Sequence, residues 1–381
     1  MEKRVLLGHL NSNGDCLFAT VIARQIKEVD YPGCHLTWAV STKCKQTIVL
    51  NPYVDEIWEI PVEKSLVSLK EWNSFVTEAA RRRENGEFDE VFLTQIAGDN
   101  WFRYDGGIRS SIHNNYPFKI TAPLQATIQL SDSEVENVAA FAAKHKLAEY
   151  KQVILVECGA DSFETALNPR SALGLANDIV ANNTGTAVIL SSNKTIETTS
   201  DAVIDASVLS FRENAEITKY CDLFIGCGSG ISWLTTTDWA KKLEMIMVID
   251  QGQNVFPSMI FDHEYFNLPT GHIIEIKSDK RSIGKLKVCL EKISTDGFAA
   301  AKSSFHEQLK PGNFLFLSYQ VESTLGRLNF RGFFASMKRI IRRNGKSLLL
   351  PATIFRIVRV LLSRFSYRIR ELAGSVDPEQ P

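Results

Sequence analysis

Short apolar runs alternate with amphipathic stretches along most of the chain. Residues 5–9 form an apolar run that stops at the polar, glycine-containing Asn11-Ser12-Asn13-Gly14-Asp15, after which Leu17, Val21, Ile22, Ile26 and Val29 recur at helical spacing. That pattern predicts strand, tight loop, helix. Residues 36–40, 54–60 and 89–94 read as further strands, the first following the Pro32-Gly33 turn and the second closed by Pro61; 66–83 reads as a helix. Strands alternating with helices imply parallel βαβ units.

The rhythm breaks over residues 98–123, where Asp99, Trp101, Arg103, Tyr104, Asp105, Arg109, His113, Asn114, Asn115 and Tyr116 crowd around Gly106-Gly107. A long polar and aromatic insertion in an α/β domain is usually functional or mobile. A helix over 133–147 follows, capped by Ser131 or Ser133. The series then restarts. A strand at 152–157 runs into Cys158-Gly159-Ala160-Asp161, followed by a helix at 171–181, a strand at 187–191 and a helix at 213–220. A strand at 222–225 enters Gly226-Cys227-Gly228-Ser229-Gly230, with a helix at 231–240 and a strand at 245–250 behind it. There is no close sequence repeat, only the same architecture twice. The expectation is an α/β protein of two Rossmann-like domains, 1–150 and 151–326, facing a central cleft.

A length of 381 residues suits two domains. With 44% hydrophobic and 23% charged residues the core needs no metal or disulfide staple. The seven cysteines are widely spaced and include no C-x-x-C pair, which argues against a zinc or thioredoxin-like motif and for small core hydrophobes. The N-terminal apolar run is too short for a signal peptide, and no stretch of about 18 apolar residues occurs. The expected location is the cytoplasm.

Charge redraws the end of the chain. Residues 327–381 carry twelve Lys and Arg against three Asp and Glu, a net of +9, so residues 1–326 hold −10 of the overall −1. At 100° per residue Ile354, Phe355, Val358, Leu361, Leu362, Phe365, Ile369 and Leu372 share one face, with Arg356, Arg359, Arg364, Arg368 and Arg370 opposite. Lys338-Arg339-Ile340-Ile341-Arg342-Arg343 has the same character upstream. Basic amphipathic helices of this kind fit an anionic membrane surface, here through 330–372. Nucleic acid is the competing polyanion, but the acidic body and wide apolar face argue against it; packing on a partner or on the body is the third reading.

Three constellations carry chemistry. Ligands of open α/β sheets sit at the carboxyl ends of strands, which places Asp15 toward a cleft; the same residue also reads as a helix cap. The glycine-rich loop at 226–230 bares backbone N–H groups at a helix start, which suits a diphosphate, or is simply a turn that needs glycine. It is neither G-x-G-x-x-G nor a P-loop. The loop after 152–157 brings Asp161, Ser162, Asn168 and Arg170; Arg170 reads as a bidentate phosphate clamp or as a solvated arginine. His9 and His113 are alternative bases or structural histidines.

The opening block, with its Gly14-Asp15 loop, Pro32 and Leu36-Thr37-Trp38-Ala39-Val40, resembles the ADP-heptose:lipopolysaccharide heptosyltransferase family. Asn51-Pro52-Tyr53-Val54-Asp55-Glu56-Ile57 is similar to that family's next block, and Cys221-Asp222-Leu223-Phe224-Ile225-Gly226 with Gly228-Ser229-Gly230 to its donor loop. Gly228 and Trp233 stand where the family usually has Asp and His. The resemblance implies a B-type two-domain glycosyltransferase fold, a nucleotide-sugar donor on the second domain and inversion without metal or other cofactor. By it Asp15 matches the catalytic carboxylate, and Arg170, Gly228, Ser229, Gly230 and Ser232 hold the donor. Asn13, Trp101, Arg103 and His113 would serve the acceptor.

The function expected from these features is transfer of a sugar to a lipid-linked cell-surface glycan of lipopolysaccharide-core or O-antigen type, at the inner face of the membrane. A nucleotide-sugar epimerase on a similar fold and a non-catalytic binder of glycan or partner are the alternatives.

Overall fold

The computed structural model of the chain describes residues 2–63, 67–158, 167–251, 256–310 and 330–344, with positions 358, 359 and 362; the side chains at 99, 101, 102, 340, 343 and 344 stand outside that set. Most of the strands are apolar runs, as parallel strands covered on both faces must be, whereas the edge strand Glu56–Ile60 is half-exposed. The first sheet holds β1 (Arg4–Gly8), β2 (His35–Ser41), β3 (Glu56–Ile60) and β4 (Glu90–Leu93), in the order β3-β2-β1-β4. The second holds β5 (Gln152–Glu157), β6 (Thr186–Ser191), β7 (Val203–Asp205), β8 (Leu223–Gly226), β9 (Glu244–Ile249) and β10 (Ile273–Lys277), in the order β10-β9-β8-β5-β6-β7. All pairings are parallel.

Both sheets follow one winding rule. The chain moves outward on one side of its first strand and then returns to the other side. The reversal falls between β1 and β4 in the first sheet and between β5 and β8 in the second. A ligand crevice opens at such a switch point, beyond the carboxyl ends of the strands.

The helices are α1 (Asn13–Gln25), α2 (Leu69–Glu84), α3 (Ile108–Asn115), α4 (Asp132–Lys144), α5 (Pro169–Asn182), α6 (Glu213–Ile217), α7 (Gly230–Leu234), α8 (Met259–Tyr265), α9 (Ser282–Asp296), α10 (Phe298–Phe305) and α11 (Phe330–Asn344). Their starts follow local chemistry. Ser68 with Glu71, and Ser131 with Glu134, close reciprocal capping boxes on α2 and α4. Asn168 caps α5, and Pro169 occupies its first position.

The two halves are not separated by solvent throughout. One apolar cluster runs from Phe18 on α1 and Ile112 on α3 to Trp233 on α7 and Met245 on β9. Two buried charges pin the seam. Arg212 reaches back to the Glu134 carboxylate at 2.6 Å and to the Val49 carbonyl at 2.5 Å. Arg109 on α3 faces Asp262 on α8 at 3.2 Å. Helix α11 returns to the first half, burying Ser336 and Met337 and packing on the turn at Gly98–Arg103.

Two local expectations are corrected. The 98–123 insertion carries α3, whose Arg109, Ser110, Ser111, Ile112, His113 and Asn115 are buried. The helix expected over 231–240 ends at Leu234, because Thr235, Thr236 and Thr237 each donate a hydroxyl to the carbonyl three residues earlier. Strands β7 and β10 were not foreseen. Of the second tail helix only Val358, Arg359 and Leu362 are described, all exposed; the rest of 354–372 lies outside the described residues.

Candidate functional site

The carboxyl end of β1 leads into α1 through Ser12, whose φ of 65° is a left-handed conformation that non-glycine residues rarely hold. Such strain costs about 1–3 kcal/mol and persists where surrounding contacts impose it. Those contacts come from Gln95 just beyond β4, whose side-chain oxygen accepts from both Leu10 N–H and Asn11 N–H at 3.0 Å. The bridge spans the switch point of the first sheet.

Asp15 lies in the first turn of α1, while Ser12 holds the cap position without a side-chain bond. The capping reading of Asp15 is therefore not what the structure displays. Among the described residues no hydrogen bond or ion pair reaches its carboxylate. Burial, with a smaller push from Cys44, raises its pKa from 3.8 to about 8. A desolvated carboxyl with no internal partner is suited to receive a proton. Next to it, the Asn13 side-chain oxygen accepts from Thr47 at 3.0 Å.

The second switch point is organised by a buried carboxylate that the sequence reading did not single out. Glu157, the last residue of β5, accepts from Cys227 N–H at 3.1 Å, from the Ser232 hydroxyl at 2.5 Å and from the Ser229 hydroxyl. The Ser232 hydroxyl oxygen in turn accepts from Gly228 N–H at 3.0 Å. Gly228 has φ +84°, and a Cβ there would stand 2.5 Å from the Pro257 carbonyl oxygen, so only glycine fits. Both serine hydroxyls are thus engaged within the loop, which leaves its backbone N–H groups, the donor-binding groups expected from the sequence, as what it can offer a ligand. What the loop presents outward is backbone at Ser229–Ile231, where the first N–H groups of a helix have no partner within it. The helix is only five residues long.

The two loops meet. A Cβ on Gly14 would lie 3.5 Å from the Gly230 Cα, and one on Gly230 would lie 3.6 Å from the Asn13 Cβ. Just behind, Phe18 meets Trp233 edge-on at 4.8 Å, and the Trp233 ring nitrogen donates to the Gly228 carbonyl at 3.2 Å. Trp233 is therefore a strut between the halves.

The remaining candidates divide. Arg170 is exposed in the first turn of α5, at the same sheet edge as the 227–232 loop, with no described contact to it. Arg103 is not free for a ligand in this arrangement: it donates to the Asn114 and Asn115 carbonyls at 3.3 and 3.2 Å, closing the end of α3. His113 is buried, bonded to the Phe18 carbonyl at 3.3 Å and edge-on to Phe266; burial, then Arg109, lowers its pKa to about 3. His9 is likewise buried against Thr94, and burial lowers it to about 3. Neither histidine is matched to general-base work near neutral pH. The Trp101 side chain lies outside the described residues. All seven cysteines are buried, and none is joined in a disulfide. Among the described residues no group of three His, Cys, Asp or Glu side chains is placed to hold a metal ion.

No family model and no curated protein matches the chain. Among solved structures it is similar to a glycosyl transferase of family 9 from Veillonella parvula, at 13% identity, over 90% of this chain and 98% of that one, with a TM-score of 0.54. The E. coli ADP-heptose lps heptosyltransferase II aligns at 12% identity over 84% of this chain and 99% of that one, TM-score 0.48. The S. aureus MnaA–UDP structure aligns at 8% over 85% and 96%, TM-score 0.44. The chain has the two-sheet fold of B-type glycosyltransferases.

Proposed function

We propose that the chain is an inverting glycosyltransferase, moving a sugar from a nucleotide-sugar to an acceptor hydroxyl without a metal. The observation that carries this reading is the meeting of Gly14 with Gly230, which sets the Asp15 turn of one sheet against the glycine-rich turn of the other. Asp15 takes the proton of the attacking hydroxyl, a role its raised pKa suits. The departing diphosphate gathers negative charge, and the backbone N–H groups of 229–231 receive it. Glu157 holds that loop preorganised through Ser229 and Ser232, while Gly228 permits its turn. Arg170 supplies a cation to the donor phosphates from the same sheet edge. Asn13, beside Asp15, contacts the acceptor.

The acceptor in this reading is a lipid-linked surface glycan of lipopolysaccharide-core or O-antigen type, met at the cytoplasmic membrane face. Helix α11 supports it: Phe330 and Phe334 are exposed, one turn apart, with Arg331, Lys338, Arg339 and Arg342 around them. No described helix is long and apolar enough to cross a membrane.

The test is thermal-shift screening of the full chain against a panel of nucleotide-sugars, followed by transfer assays comparing wild type with Asp15→Asn. Binding of one donor, and transfer lost in Asp15→Asn, is the expected result. Equal transfer by both proteins removes Asp15 from the chemistry. Conversion of the donor without acceptor makes the chain an epimerase, and failure of every donor to bind overturns the reading.

A further inference from the structure

A cavity of about 270 Å³ lies between the halves at the opposite edge of the second sheet, by the amino ends of β9 and β10. Its wall brings Arg109 from the first half to Lys242, His263 and His272 from the second. Arg109 is compensated by Asp262 and also donates to the Leu124 carbonyl at 3.3 Å. Lys242 has no ion-pair or hydrogen-bond partner among the described residues, nor has the His272 ring. His263 is fixed by the Pro269 carbonyl at 3.0 Å.

Burial keeps both imidazoles neutral near pH 7, and the neighbouring cations push the same way. His263 is lowered to about 4 by burial first, and then by Arg109 and Lys242. His272 is lowered to about 4 by burial, then by Lys242, His263 and Lys302. Among the described residues no carboxylate stands on the cavity wall; Asp262 meets Arg109 behind it. The exposed, unpaired Lys242 ammonium beside two imidazole rings, with a guanidinium whose counter-charge is Asp262, offers an anion both charge and hydrogen-bond donors.

We propose that this cavity binds a small polyvalent oxyanion, bearing phosphate or carboxylate groups, at a site separate from the Asp15–Gly230 junction. Lys242 and the Arg109 guanidinium supply charge, and His272 lines the mouth. Because these groups belong to both halves, the ligand bridges them. It also adjoins the donor loop indirectly: Arg109 lies over the Phe18 and Trp233 rings at 4.6 and 5.8 Å, and Trp233 holds the Gly228 carbonyl. The proposal does not depend on the transferase reading.

Inorganic pyrophosphate and citrate, titrated separately into the full chain by calorimetry, distinguish the two ligand chemistries. The variants are Lys242→Glu, His272→Ala and, as control, Lys241→Glu, whose ammonium is engaged by the Cys221 carbonyl at 2.6 Å outside the cavity. Saturable binding of at least one probe is expected. It should weaken about tenfold or more in Lys242→Glu, a loss of about 1.4 kcal/mol, weaken in His272→Ala and hold in Lys241→Glu. Circular dichroism melts confirm that each variant is folded. Absence of saturation with both probes, or saturation undiminished in Lys242→Glu, overturns the proposal.

Discussion

Gly14 and Gly230 touch across the seam of the molecule, the one in the first turn of α1 and the other at the start of α7. A Cβ on Gly14 would make ordinary contact with Trp233 and Gly230, whereas the space at Gly230 is tighter. A Cβ on Gly230 already stands 3.3 Å from a Phe211 ring carbon. Gly230→Val is expected to cost about 1–3 kcal/mol by overpacking, and to depress transfer further by parting the two loops. Gly230→Ala should stay near wild type in stability. Urea unfolding of both variants, run beside the transfer assay, checks the ordering.

Asp15 gives a pH signature. Its pKa is raised in the fold, so the native state holds a proton that the unfolded chain releases near pH 3.8. The stabilisation is complete below that pH and is lost as pH rises through about 8. Wild type minus Asp15→Asn stability should therefore fall between those limits. As a base, the same group predicts that kcat/KM rises with pH over the upper part of that window. A flat difference in stability would mean that the carboxyl is solvated.

Glu157 predicts a separation of binding from folding. Glu157→Gln keeps the shape but turns one acceptor into a donor facing Ser229 or Ser232. The expected cost is about 1–3 kcal/mol of stability for a buried donor left unmet, together with a raised donor KM from a loosened loop. Ser232→Ala should reproduce the loosened loop at Gly228. Calorimetric melts with donor titrations read both effects.

Helix α11 predicts vesicle binding that depends on lipid charge. Sedimentation with vesicles containing anionic lipid should retain the protein, and neutral vesicles should not. Lys338→Glu and Arg342→Glu should each weaken retention, since a basic residue near such a surface contributes about 1 kcal/mol. Phe334→Asp removes the apolar contact and should weaken it too. Retention unaltered by all three changes would detach α11 from the membrane.

Eight of the ten described strands were legible, most of them as short apolar runs bounded by turn residues; the three-residue β7 and the β10 strand were not. The switch-point order of the sheets was not legible either, since pairing is a long-range choice. The loop around Asp15 and the turn at Gly228–Ser232 stood out by glycine and polarity alone. Gln95, Glu157 and Arg109 did not. Gln95 acts on residues some 85 positions earlier, Glu157 on residues 70–75 positions later, and Arg109 on Asp262 in the other half. A carboxylate closing a buried strand, as Glu157 does, was the available signal. Arg103 and His113 looked like ligand groups because the stretch around them is polar; the structure spends that polarity on closing and seating α3.

The apolar cluster shared by Phe18, Ile112, Trp233 and Met245 turns the seam from a surface into an interior. Pulling the lobes apart there would wet that interior at about 25 cal/mol for each Å² exposed, so wholesale hinge opening is an expensive way to admit a substrate. Traffic is routed instead to the rim where the strands end, and turnover depends on loops that breathe while the seam stays shut. Severing the gene between the lobes should accordingly yield two insoluble halves rather than two working modules.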